Sequence, residues 1–200
     1  TLETIVNVNI FVKNIEKNIF ITEKKSSYLR NLAYKLKSEI IDHNNFIGGR
    51  YAVLSEVGML PAELMGLDPK KFRQFDNLIK NKNFLDLLIK NTSSILYFAK
   101  KKKFNSVILN YDEKSKYLFQ WYQQLVAESL GKKGKGFLPV ISNMPKDNHS
   151  VMQLYLDGFK NNFFTFFFCN EKKSEKFVKN KFLESHKYLS LHSTESIIYN

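Results

Sequence analysis

Two apolar periods alternate along the chain. Ile19 to Thr22 is a short β-type run, and Ser26 or Ser27 then stands before Leu29, Leu32, Ala33, Leu36 and Ile40, the spacing of one helix face. Phe46-Ile47 leads into a Gly48-Gly49 turn, and Asp68-Pro69 supplies a cap and first position for a further helix. Leu85 to Ala99 reads as a helix, with Leu85, Leu88, Ile89, Ile95 and Leu96 forming most of its apolar side. Val107 to Leu109 is a buried-type strand, followed by a helix from about Lys114 to Leu130 that stops at Gly131. Phe137 to Ile141 is the next strand, a helix follows Asn148, and Phe163 to Phe168 is a last strand. Strands that alternate with helices predict an α/β fold, parallel sheets flanked on both faces by helices. Ligands of such folds collect at the carboxyl ends of the strands.

Composition narrows this picture. Two hundred residues, 44% of them hydrophobic and 14% aromatic, are enough for a packed core. The net charge of +12 raises the question of an anionic partner, but only Arg30, Arg50 and Arg73 among the 31 basic residues are arginine. Base recognition relies on arginine forks and a concentrated basic face, so nucleic acid is not an expected partner. The Lys100 to Lys103 run ends a predicted helix, where the dipole favours cations. One cysteine, Cys169, excludes an internal disulfide and a multi-cysteine metal site, and its place after an aromatic run predicts a buried thiol. No run approaches the roughly 20 apolar residues of a membrane span, so no membrane partner is expected. A cytoplasmic location is the default for a chain without a signal pattern.

Three clusters can carry chemistry. In Gly48-Gly49-Arg50-Tyr51 the glycines let backbone approach a ligand beside a fixed cation. In the Gln123 to Lys132 segment, Gln124 and Glu128 stand four apart and share a helix face. Glu128 falls in the last turn, where the helix dipole disfavours its charge, the direction a general base near neutral pH requires. In Asp147-Asn148-His149-Ser150, with Gln153 one turn on, His149 falls at a predicted helix start after a strand. His43, His186 and His192 have no comparable setting.

Taken together, Phe46-Ile47-Gly48-Gly49-Arg50-Tyr51, the Gln124 to Lys132 segment and the His149 to Leu154 segment resemble, in order, motifs of the glucose-6-phosphate isomerases. Thr1-Leu2-Glu3-Thr4 is similar to the second half of that family's phosphate-binding loop. The resemblance implies a fold of two sugar-isomerase (SIS) domains, each a three-layer α/β/α sandwich. Residues 1–67 would be the end of the first and 68–200 the beginning of the second. It implies reversible interconversion of glucose 6-phosphate and fructose 6-phosphate through a cis-enediol(ate), in glycolysis and gluconeogenesis, with no cofactor and no metal. On this resemblance Glu128 is the proton-transferring base, Arg50 the cation beside the developing enediolate, and His149 the ring-opening residue, contributed from the partner of a homodimer with a shared active site. Gln124 and Gly49 match substrate-contacting positions, and Thr1 and Thr4 match phosphate ligands.

The sequence departs from the family at Ala52, where serine or threonine is usual. The front of the phosphate loop belongs before Thr1, and nothing after Phe168 matches the lysine that works with the ring-opening histidine. The start at Thr1 leads to the expectation of an excerpt from a longer enzyme, catalytically poor in isolation. Two other activities fit the motifs: an isomerase that also accepts mannose 6-phosphate, and a non-catalytic SIS-domain sensor of sugar phosphates. The sensor has no need of a base, arginine and histidine together.

Overall fold

The computed structural model of the protein describes residues 2–11, 18–72 and 74–169; Thr1 and the tail from Asn170 lie outside them. The chain forms two compact units, residues 1–87 and 88–200. Both are built from helices and parallel strands, the α/β class that the alternating periods predict.

Unit 1 opens with α1 (Leu2–Phe11), then β1 (Ile19–Glu23), α2 (Tyr28–Lys35) and β2 (Glu39–His43). β1 and β2 pair in parallel, Ile19 against Glu39 through Glu23 against His43. Ser27 caps α2 by accepting the Arg30 N–H at 3.2 Å. The Arg30 guanidinium donates to the Glu23 carbonyl and to Asp42, both at 2.9 Å, and so ties the helix to both strands. β2 is a correction: the stripe from Leu29 to Ile40 read as one helix, yet Ile40 lies in the strand. Lys37 takes a left-handed φ of 51°, and Ser38 N–H returns to the Ala33 carbonyl at 3.0 Å, which ends the helix without a glycine to announce the stop. A 3-10 turn (Gly49–Leu54), α3 (Glu56–Leu64), α4 (Pro69–Phe72) and α5 (Asp76–Ile79) follow. The buried apolar residues of this unit are mostly small: Ala33, Ala52 and Ala62 beside Phe20.

α6 (Lys82–Lys100) crosses from one unit to the other. Its apolar stripe is not buried: Leu88, Ile89 and Leu96 stay about half-exposed. Unit 2 continues with β3 (Asn105–Asn110), α7 (Lys116–Leu130), β4 (Leu138–Asn143), α8 (Lys146–Asp157) and β5 (Asn162–Phe167). The sheet is parallel in the order β4-β3-β5. β3 is central, and Ser106 through Asn110 are all buried, as a strand covered on both faces requires.

Side chains alternate across the sheet and sort the helices onto its two faces. Val107 and Leu109 pack with Met152 and Tyr155 of α8, and Tyr155 meets Phe164 edge-on at 5.5 Å. On the opposite face, Phe163 stacks on Phe98 of α6 at 5.1 Å, and Phe167 meets Phe119 of α7 edge-on at 4.8 Å. Cys169 is exposed, not buried as expected, because β5 ends at Phe167 and leaves it beyond the sheet.

Candidate functional site

In unit 1 the site grows from the end of β2. Gly48 stands in extended conformation before the 3-10 turn that holds Gly49 and Arg50. A Cβ on either glycine would meet nothing within 4 Å, so the space over this backbone is open to a ligand. Arg50 is half-buried, with its guanidinium carbon 5.6 Å from the Tyr51 ring centroid, within cation–π range. Tyr51 N–H returns to the Gly48 carbonyl at 2.9 Å. Ala52, the departure from the family pattern, is buried. Thr4 lies in the first turn of α1, and Thr1 lies outside the described residues.

His43 braces this turn, although its sequence setting had singled out nothing. Its Nε2 meets the Ile47 carbonyl at 3.0 Å, and its Nδ1 contacts a carboxylate oxygen of Glu56 in the first turn of α3. The Glu56 bond raises the pKa of His43 against the opposing effect of burial, and the Ile47 carbonyl adds to the rise. The Glu56 carboxyl is lowered by its own backbone N–H and by His43. No sequence signal marks it: its partners are a carbonyl and a carboxylate that only folding brings near.

In unit 2 the candidates Glu128 and His149 are not together. α7 leaves the carboxyl end of β3 and returns to the amino end of β4, so Glu128 in its last turn lies at the amino-terminal end of the sheet. Gln124 and Glu128 do share a face: Gln124 Nε2 donates to Glu128 Oε1 at 3.1 Å. Gln123, on the neighbouring face, donates to the Pro139 carbonyl at 2.9 Å and fixes α7 on β4. α7 stops at Gly131, where a Cβ would approach the Ala127 carbonyl oxygen to 2.4 Å. Ser129 to Lys132 then line a largely apolar cleft of about 890 Å³ with Leu96, Phe104 and Phe137.

His149 sits at the opposite end of the sheet, exposed in the first turn of α8, which begins at Lys146 and not after Asn148. Asp147 accepts the Asn143 N–H at 2.7 Å and seats this turn on the end of β4. The same carboxyl end holds buried polar atoms that periodicity did not disclose. Asn110 Nδ2 and Asn143 Oδ1 are buried without partners, in register on adjacent strands. Beside them the Asp112 carboxyl is held below the usual carboxylate range by the Ser115 hydroxyl and, secondarily, the Cys169 thiol. No group of three or more potential metal ligands occurs among the described residues, and none of their helices is long and apolar enough to cross a membrane.

No protein-family model matches the chain. Individual relatives do. The glucose-6-phosphate isomerase of Methanocaldococcus jannaschii is 37% identical over 179 residues, which is 83% of this chain and 44% of that protein. The chain is a relative of the glucose-6-phosphate isomerases. The isomerase of Mycoplasmoides gallisepticum is 30% identical over 90% of the chain, and that of Mycoplasma genitalium 33% identical over 80%. Against these isomerases the chain spans less than half of each relative's length, 46% and 41%. A hypothetical protein from Thermus thermophilus shares the fold, with a TM-score of 0.74 at 24% identity over 90% of the chain and 45% of the other.

Proposed function

We propose that the protein is a glucose-6-phosphate isomerase that carries a proton between C1 and C2 of an open-chain hexose 6-phosphate. One observation carries the reading. A carboxylate held by Gln124 stands at the end of α7, beside a cleft wall, in a chain 37% identical to a glucose-6-phosphate isomerase. Glu128 takes the C2 proton of the aldose, the electron pair moves into a C1–C2 double bond, and the carbonyl oxygen becomes an enediol(ate) oxygen. The same carboxyl returns the proton to C1, while the C2 hydroxyl passes its proton to the C1 oxygen and becomes the carbonyl of the ketose. No external oxidant or reductant takes part. Arg50 stabilises the negative oxygen, the kind of fixed charge that lowers such barriers most. Gln124 keeps the carboxylate oriented, the open backbone at Gly49 admits the sugar, and Thr4 and Thr1 bind the phosphate. His149 acts in ring opening.

Two SIS domains, 1–67 and 68–200, belong to this reading, as does a cytoplasmic enzyme of glycolysis and gluconeogenesis. The antiparallel course of α7 supports a shared site in a homodimer. Its fifteen residues span about 22 Å at 1.5 Å per residue and separate Glu128 from His149 of the same unit. A site using both draws them from two protomers. The test is complementation in the full-length protein: Glu128→Gln and His149→Ala are each inactive alone, and mixed protomers recover about a quarter of wild-type activity, because half are heterodimers with one intact site. No recovery on mixing would rule out the shared site, and a wild-type protein inert toward glucose 6-phosphate would rule out the activity.

A further inference from the structure

The contacts of His43 deepen the isomerase reading and rest on its role for Arg50. Each ring nitrogen faces an acceptor, the Ile47 carbonyl on one side and the Glu56 carboxylate on the other. A neutral imidazole carries one N–H and can serve one of them; the imidazolium donates to both. Ile47 directly precedes Gly48, whose carbonyl holds the turn that carries Arg50. Glu56 lies in the first turn of the helix that follows the same turn. The ring thus clamps both ends of a segment whose glycines provide no side-chain packing of their own. We propose that His43, as an imidazolium, is a positioning residue that aims Arg50, and that its loss of a proton sets an alkaline limit on catalysis.

Of the other charged neighbours, Glu23 favours the cation, its carboxylate also paired with Lys25 at 2.8 Å. Glu23 of β1 stands opposite His43 in register and lines a hollow of about 330 Å³ with it, together with Tyr28 of α2. Asp42, next along β2, is engaged by Arg30. Burial alone opposes the charge, and the pKa of His43 is raised against it. The clamp is therefore complete below the ordinary histidine value of about 6.5 and is lost as pH rises through the higher folded value.

The experiment is kcat and KM against pH for the full-length wild type, His43→Gln and Glu56→Gln, with glucose 6-phosphate. The wild type should show an alkaline fall in kcat that is missing from His43→Gln and moved to lower pH in Glu56→Gln. Below that fall, kcat of His43→Gln should be about tenfold lower with KM little changed, a part of the roughly hundredfold that a full ångström of misplacement costs. Superposable profiles for wild type and His43→Gln would overturn the proposal. A wild type without isomerase activity would overturn the underlying function instead. Should His43→Gln fail to fold, ¹⁵N-histidine spectra of the wild type decide. Two protonated ring nitrogens at pH 6.5, with a midpoint lowered by Glu56→Gln, support the clamp; a single neutral tautomer at that pH refutes it.

Discussion

Gly58→Ala sets two physical effects against each other at the turn that carries Arg50. Gly58 is the third residue of α3, where alanine's helix preference would stabilise by about 1 kcal/mol. The added Cβ, however, would lie 2.1 Å from the Val53 carbonyl oxygen, 2.8 Å from its carbon and 3.0 Å from its Cα. These are backbone atoms of the 3-10 turn, not the far end of a side chain that can swing away. Relief requires α3 and the turn to separate by more than an ångström, since 2.1 Å falls well short of the 3.4 Å at which ordinary contact begins. Overpacking of this kind costs typically 1–3 kcal/mol, and backbone contact belongs at the top of that range. The net loss should be about 1–2 kcal/mol, or roughly 2–8 °C in Tm for a chain of this size. Val53 and Arg50 share the turn, so Arg50 moves as well, and kcat/KM of the full-length protein should fall between about tenfold and a hundredfold. Thermal unfolding followed by circular dichroism reads the first effect and a coupled isomerase assay the second. A variant that melts at or above the wild-type temperature with unchanged kcat/KM would refute the close approach and the link to Arg50 together.

Other expectations follow from the packing of unit 2. Leu109, 3% exposed in the central strand, should cost about 2–5 kcal/mol on replacement by alanine, measured by urea unfolding; a loss below about 1 kcal/mol would contradict the core assignment. Asp112 has a lowered folded pKa, so its contribution is present above the unfolded value of about 3.9 and disappears as pH falls through the folded one. Asp112→Asn should therefore flatten the acid limb of the stability curve, and an unchanged limb would contradict this. Gln123→Ala removes the donor that fixes α7 to the Pro139 carbonyl and should lower kcat/KM by displacing Glu128, with little change in the phosphate affinity read by isothermal titration.

Much of the fold was legible because a few elements speak unambiguously. β3 carries the unbroken apolar run Val107-Ile108-Leu109, with no alternation, as a strand covered on both faces does. α7 ends where Gly131 requires it to end. β2 was hidden because Lys37 ends α2 in a conformation usually signalled by glycine, while Ile40 happens to continue the helical spacing. Cys169 was misjudged because an apolar neighbourhood in sequence does not show where the strand stops. The Gln124–Glu128 pair follows from spacing alone and formed as expected. His43 could not be recognised that way: its partners are thirteen and four residues distant, and one of them is a backbone carbonyl. The separation of Glu128 from His149 depends on the direction in which α7 crosses the sheet, which linear order does not state.

The proton transfer assigned to Glu128 is tested most directly by deuterium incorporation. Full-length wild type and Glu128→Gln are incubated with fructose 6-phosphate in deuterium oxide, and label at C1 of the ketose and C2 of the aldose is followed by NMR, with sugar-phosphate binding measured in parallel. The account predicts exchange in the wild type, and binding retained with exchange reduced on the order of a thousandfold or more once the base is neutralised. Exchange at near wild-type rates in Glu128→Gln would contradict it.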